Sequence, residues 1–148
     1  MSTKGNKELV RQVIKERNEF AGDAAKVCSW CEKYCAPGYI YHNLIGGDMN
    51  REQLVQYFVS LMSTMPDHNK SIDDMVAEGD KVVIRYTVQG TQKGAILGIP
   101  ATGKHVSITA CDIYKIEGGK KILEWWEFPD YLGGIIKAGV IFSAPPKT

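Results

Sequence analysis

The stretch at 94–134, GAILGIPATGKHVSITACDIYKIEGGKKILEWWEFPDYLGG, constrains the fold more than any other part of the chain. Gly98, Pro100 and Gly103 punctuate a turn at its start. From Val106 to Ile116 the even positions read Val, Ile, Ala, Asp, Tyr, Ile, an apolar row broken by one acid, Asp112. Gly118-Gly119 reverses the chain and KKILEWWEF carries it back. Two β runs joined by Gly-Gly predict an antiparallel hairpin. Counting on by twos places Ile122, Glu124, Trp126 and Phe128 on one face, with Asp130 continuing that face unless Pro129 introduces a bulge.

Upstream, 6–20 reads as a first helix with Asn6 as its N-cap, and Leu9, Val10, Val13 and Ile14 as its core stripe. Asp23 caps a second helix to about Tyr34, which Pro37-Gly38 stops. In YIYHNLIGG, Tyr39, Tyr41 and Asn43 share one face, while Ile40, His42 and Leu44 share the other. His42 is therefore read on the apolar side, as a core histidine or a pocket wall. A third helix from Asp48 or Asn50 carries Leu54, Tyr57, Phe58, Leu61, Met62 and Met65 at helical spacing, and Pro66 ends it. Residues 69–79 read as a strand. In KVVIRYTVQGTQ, Val82, Ile84, Tyr86 and Val88 oppose Val83, Arg85, Thr87 and Gln89. Arg85 then lies on a wet face, or is a charge inside a cavity in need of a partner. His68 reads as solvated and His105 as surface or rim. The apolar run after Ile135 is expected to pack on the domain or on a second subunit.

Helices first and strands after predict α+β with an antiparallel sheet, in one domain spanning 1–148. A net charge of +1 leaves no nucleic-acid footprint. No run approaches a membrane span and the N-terminus lacks an apolar signal region, so a cytoplasmic location is expected. Cys28, Cys31 and Cys35 recur at helical spacing, as a metal or redox site or as small apolar residues on a buried face. The histidines do not have metal-ligand spacing, and phosphate-binding glycine motifs and a G-x-S-x-G elbow are absent from the sequence. What remains is Asp130 among Trp125, Trp126, Phe128, Pro129 and Tyr131. Apolar neighbours raise a carboxyl towards the range that suits proton transfer from carbon. The same Asp could instead cap the turn YLGGII.

The pattern G-x-x-x-G-I-P-A-T-G-K, then D-I-Y-K-I, then K-I-L-E-W-W-x-x-x-D-x-x-G-G resembles the SnoaL-like polyketide cyclase family, over a span from the first helix to about Gly139. The resemblance implies a nuclear transport factor 2-like fold, with three N-terminal helices on a strongly curved, mostly antiparallel sheet that forms a cone. It implies a cofactor-free, metal-free enzyme in which Asp130 is the acid/base residue, acting on a small hydrophobic carbonyl compound by intramolecular aldol closure. His42, Arg85, Asp112, Tyr114 and Trp126 form the expected wall, with His42, Arg85 or Tyr114 donating to the enolate oxygen. Some relatives orient this Asp with a His on the preceding strand; here DIYKI leaves Asp112 or Tyr114 for that task. Epoxide hydrolysis, as in limonene epoxide hydrolase, would draw on Asp112, Arg85 and Asp130. Isomerase, dehydratase and plain hydrophobic-ligand binding are the other activities the fold hosts. A homodimer through the sheet and the tail is the family habit.

Overall fold

The computed structural model describes residues 2–96 and 98–137. Two helices come first: α1 (Thr3–Arg17) and α2 (Ala24–Tyr34). The first is capped four residues earlier than Asn6 would allow, because the Ser2 side chain accepts from Gly5 N at 3.1 Å. Asn6 instead lies buried and donates to the Gly79 carbonyl. Asp23 caps α2 as expected, accepting from Ala25 N and Lys26 N. Trp30 Nε1 donates to the Val13 carbonyl and ties the two helices together.

Strand β1 (Cys35–Asn43) follows directly, pairs with the short β2 (Gly47–Met49), and leads to α3 (Arg51–Thr64). Pro37-Gly38 therefore does not end a helix; it sits where the register of β1 shifts against its parallel neighbour. Proline has no N–H to give a ladder, so it fits such a break. Asn50 and Gln53 close a capping box on α3. The third helix thus arrives after the first two strands rather than before the sheet.

Four long strands complete the chain: β3 (Asn69–Glu78), β4 (Lys81–Thr91), β5 (His105–Glu117) and β6 (Lys121–Pro129), followed by α4 (Tyr131–Lys137). The sheet order is β2-β1-β6-β5-β4-β3, antiparallel throughout except for β1 against β6. Gly118 and Gly119 both take positive φ in the β5–β6 turn, where only glycine sits without a Cβ penalty. The sheet curves around α1–α3, and the buried side chains lie on this inner face. The apolar run beyond residue 137, and the packing expected of it, lies outside the described residues.

Parity holds on β4 and β5, where Val82, Ile84, Tyr86 and the even residues of β5 are buried. On β6 it reverses. Lys115 pairs with Glu124 but Ile116 pairs with Ile122, so Leu123 is an extra residue, a β-bulge. Ile122 and Trp125 both turn inward, and Glu127 follows Trp125. Trp126 turns outward and stacks on His42 at 5.0 Å. Trp125 stacks on Tyr41 at 4.3 Å and also contacts Phe58 and Tyr114.

The two adjacent tryptophans should therefore differ sharply. Trp125→Ala is expected to cost about 3–5 kcal/mol through the cavity it leaves, and Trp126→Ala about 1 kcal/mol, the worth of one aromatic stack. Denaturant unfolding checks this, and equal costs would mean the bulge is misplaced.

Candidate functional site

The interior of the cone holds a cavity of about 50 Å³ between α1, α3, the sheet and α4. Most of its wall is apolar, from Leu61 on α3 and Met65 at its C-cap to Ile96, Ile108 and Pro129. Arg17, Tyr57, Tyr86, Glu127 and Tyr131 are its polar groups. Ile96 belongs to the loop between β4 and β5. That loop is pinned by buried Gln92, which donates to the carbonyls of Ile99 and Pro100 and accepts from Thr102 Oγ1. The loop is also tied to α3 by Lys93 N and Gly94 N, which both donate to the Thr64 carbonyl.

Glu127 is the acid of this cavity. Tyr86 Oη donates to its Oε1 at 2.7 Å and Tyr41 Oη donates to its Oε2. Tyr41 Oη in turn accepts from Asn43 Nδ2 at 2.9 Å. Asn43 Oδ1 holds the β1–β2 turn by accepting from Ile45 N and Gly46 N. Burial, reinforced by the Glu127 charge, pushes the phenols of Tyr41 and Tyr86 above the usual tyrosine range. Both stay protonated donors, so the carboxylate is oriented from two sides. Tyr57 and Tyr131 interact with each other in the cavity wall, and burial raises both.

A second polar group lies deeper. Lys70 Nζ donates to Asp112 Oδ2 at 2.5 Å, and Tyr114 Oη donates to the same oxygen at 2.7 Å. The ammonium also sits 3.7 Å from the centre of the Tyr86 ring. Burial raises the Asp112 carboxyl and lowers the Lys70 ammonium, each opposed by the partner's charge. Asn18 clamps the backbone of Lys70 in both directions. Arg17, at the end of α1, donates through Nη1 to His68 Nε2 at 2.9 Å. Burial, with Arg17 and then Lys70 beside it, holds His68 down to about 3. His68 is therefore neutral, buried rather than solvated, and an acceptor at Nε2.

Of the residues expected in the wall, only Asp112 and Tyr114 face inward, and they face each other and Lys70 rather than the cavity lining. His42 lies on the outer face because Tyr39 and Tyr41, not Ile40, turn to the core. Its two ring nitrogens meet Asp48 Oδ1 at 2.8 Å and Glu124 Oε2 at 3.1 Å. Burial opposes its charge, but the Glu124 and Asp48 hydrogen bonds outweigh that and raise its pKa. Arg85 is on the wet face, its side chain 64% exposed and 3.9 Å from Asp73. Trp126 is outward with His42. Asp130 is exposed just past the strand, and its Oδ1 accepts from Gly133 N at 2.9 Å, the helix-cap geometry. A Cβ on Gly133 would meet Asp130 Oδ2 at 2.1 Å, so glycine there lets the cap close. The structure thus splits the six residues into an inner pair, Asp112 and Tyr114, an outer pair, His42 and Trp126, and the separate Arg85 and Asp130. It assembles instead Glu127, Arg17, Tyr41 and Tyr86, with Lys70 and His68 behind them. Cys31 and Cys35 are buried and Cys28 exposed, and among the described residues no group of His, Cys, Asp or Glu could hold a metal ion.

The His68 environment carries a pH signature. An unfolded His binds a proton below about 6.5, while native His68 stays neutral down to about 3. Its contribution to stability is complete above pH 6.5 and is lost as pH falls towards 3, at up to about 1.4 kcal/mol per unit. Urea unfolding at about pH 7 and about pH 5 should show wild type losing more stability than His68→Gln, which keeps an acceptor without titrating. Equal losses would contradict the assignment.

Residues 15–135 match the family model of SnoaL-like polyketide cyclases. TsrD from Streptomyces laurentii is 30% identical with a TM-score of 0.77, over 95% of this chain and 99% of its own. A candidate SnoaL-like polyketide cyclase from Jannaschia sp. CCS1 is 24% identical, TM-score 0.78, over 97% and 95%. AclR, a candidate hydroxylase from Streptomyces galilaeus, shares the fold at 20% identity, TM-score 0.80, over 98% and 91%. No curated protein matches the chain. Among the described residues no helix is long and apolar enough to cross a membrane. A family match covering most of the chain, on a curved six-stranded sheet that encloses an apolar cavity, places this protein in the SnoaL-like polyketide cyclase family.

Proposed function

We propose that the protein catalyses cofactor-free acid/base chemistry on a small hydrophobic carbonyl compound, with intramolecular aldol closure as the reaction and Glu127 as the base. The observation that carries this reading is a single carboxylate in an apolar cavity, held by two phenols and by no cation among the described residues. Such a group is oriented for proton transfer and is not neutralised by a salt bridge. Glu127 takes a proton from the carbon next to a carbonyl, and the C–H electron pair passes to that carbonyl as an enolate. The enolate carbon bonds to a second carbonyl carbon of the same molecule. The oxygen of that carbonyl then takes the proton back from Glu127, leaving a β-hydroxy ketone and the enzyme unchanged.

A second reading is a hydrophobic-ligand binder on the same cavity. It is favoured by the two phenols that already occupy the Glu127 oxygens. The homodimer of relatives is a proposal here too. Its motive is the outer sheet face, where Phe128 is 45% and Ile40 39% exposed. Light scattering at micromolar concentration returning a monomer would end it.

Solvent deuterium entering the acidic C–H of a β-keto ester tests the chemistry. Glu127→Gln should slow uptake by roughly 10²–10⁴-fold. Asp130→Asn should leave it unchanged, because Asn still accepts the Gly133 N–H as a cap. The opposite pattern would return the base role to Asp130. Binding with no uptake by the wild-type chain would make it a binding module.

A further inference from the structure

Arg17 is a buried cation without an anion among the described residues. It is 4% exposed, on the last turn of α1, and lines the cavity. None of the ion pairs among the described residues includes it. Its partners are a neutral imidazole at Nη1 and the face of Phe58, 5.2 Å from the guanidinium carbon. Its buried Nε has no hydrogen-bond partner among the described residues. A guanidinium offers two parallel N–H groups, Nε–H and Nη2–H, along the edge away from Nη1. His68 holds Nη1 and so leaves that edge unused. His68 also cannot neutralise the charge, because burial and the two nearby cations keep it an uncharged acceptor.

The interior charges then sort into one closed pair and two open groups. Lys70 and Asp112 satisfy each other at 2.5 Å. Glu127 is held by phenols, and Arg17 by an imidazole and an aromatic face. Both open groups line the same cavity. Leaving a buried charge unpaired costs several kcal/mol, and an unmade hydrogen bond at a buried N–H adds about 1–3 kcal/mol. The Glu127 carboxylate is not bonded to Arg17, so the space between them is polarised, positive at one wall and negative at the other.

We propose that the free edge of Arg17 binds an oxyanion of the ligand, so that the ligands are compounds bearing a carboxylate or an enolisable β-dicarbonyl, aligned with that oxygen at Arg17 and the acidic C–H at Glu127. This assignment of ligand class rests on the reading of Glu127 as the base. In that reading Arg17 stabilises the charge that develops on oxygen as Glu127 removes the proton. His68 already holds the guanidinium at Nη1, so its orientation is set before a ligand arrives.

The test is ¹⁵N NMR of the full chain, following the Arg17 Nε–H signal, recognised by its through-space contact with the Phe58 ring. Acetate, acetamide and acetylacetone are titrated in turn. Acetate or acetylacetone is expected to move the signal and acetamide, the uncharged isostere of acetate, is not. Movement by acetate alone identifies carboxylate ligands, and by acetylacetone alone identifies dicarbonyls; both support the site. Arg17→Lys keeps the charge but loses the planar fork, and should bind the active probe about 10–100-fold more weakly. The proposal is overturned if none of the probes moves the signal, if all three move it alike, or if affinity survives Arg17→Lys. The measurement on wild type stands even if the variant folds poorly. Glu127→Gln should slow deuterium uptake by roughly 10²–10⁴-fold yet keep the Arg17 response, so the two claims fail separately.

Discussion

One extra residue in β6 decides what the inside of this protein is made of. Leu123 breaks the pairing between Lys115–Glu124 and Ile116–Ile122. Because strand side chains alternate, a single insertion exchanges the two faces for everything that follows. Without it Glu124 and Trp126 would enter the core and Trp125 and Glu127 would face out. With it Trp125 becomes the aromatic centre against Tyr41, Phe58 and Tyr114, and Glu127 reaches the cavity two residues later. The outer face keeps the charged set, with Glu124 shared between His42 and Lys115.

The same interior accommodates an unusual amount of polarity for its size. Lys70, Asp112, Tyr114, Arg17, His68, Tyr41, Tyr86 and Glu127 come from both helices and strands, and nearly every charge among them has its hydrogen bonds within the set. Buried polar groups tolerate this only when satisfied. The exceptions are therefore informative: Arg17 lines the cavity and its buried Nε has no partner among the described residues, whereas Asp112 Oδ1 is left over deep in the closed pair. The cavity is polar at Arg17, Tyr57, Tyr86, Glu127 and Tyr131 and oily elsewhere, as a carbonyl compound with a hydrocarbon body requires.

Much of the fold was readable in advance. The stripe from Leu54 to Met65 marks α3, with Asn50 rather than Asp48 as its cap, Gly118-Gly119 marks the hairpin, and β4 alternates cleanly. The site was less legible, for physical reasons. Neither glycine nor proline marks the bulge at Leu123, so counting by twos put Trp126 inside and left Glu127 outside. His68 reads as solvated and Lys70 as the start of a strand in the polar run HNKSIDD, and both are buried where Arg17 and Asn18 bond to them. Arg17 continues the buried face of Val10, Val13 and Ile14 at helical spacing, a place where a charge is not expected. Asp130 was read in two ways, and the capping geometry is the one its side chain adopts; the base role expected of it is carried forward only as the alternative in the deuterium test.

The account turns on the ligand occupying the cone between Glu127 and Arg17, and a crystal of the chain soaked with acetylacetone addresses that directly. Density is predicted in the cavity, with one oxygen on the Arg17 edge and the carbon between the carbonyls within about 3–3.5 Å of the Glu127 carboxylate, the range of a reacting pair. Density on the outer face beside His42 and Trp126, or at Asp130 with the cavity empty, would contradict it.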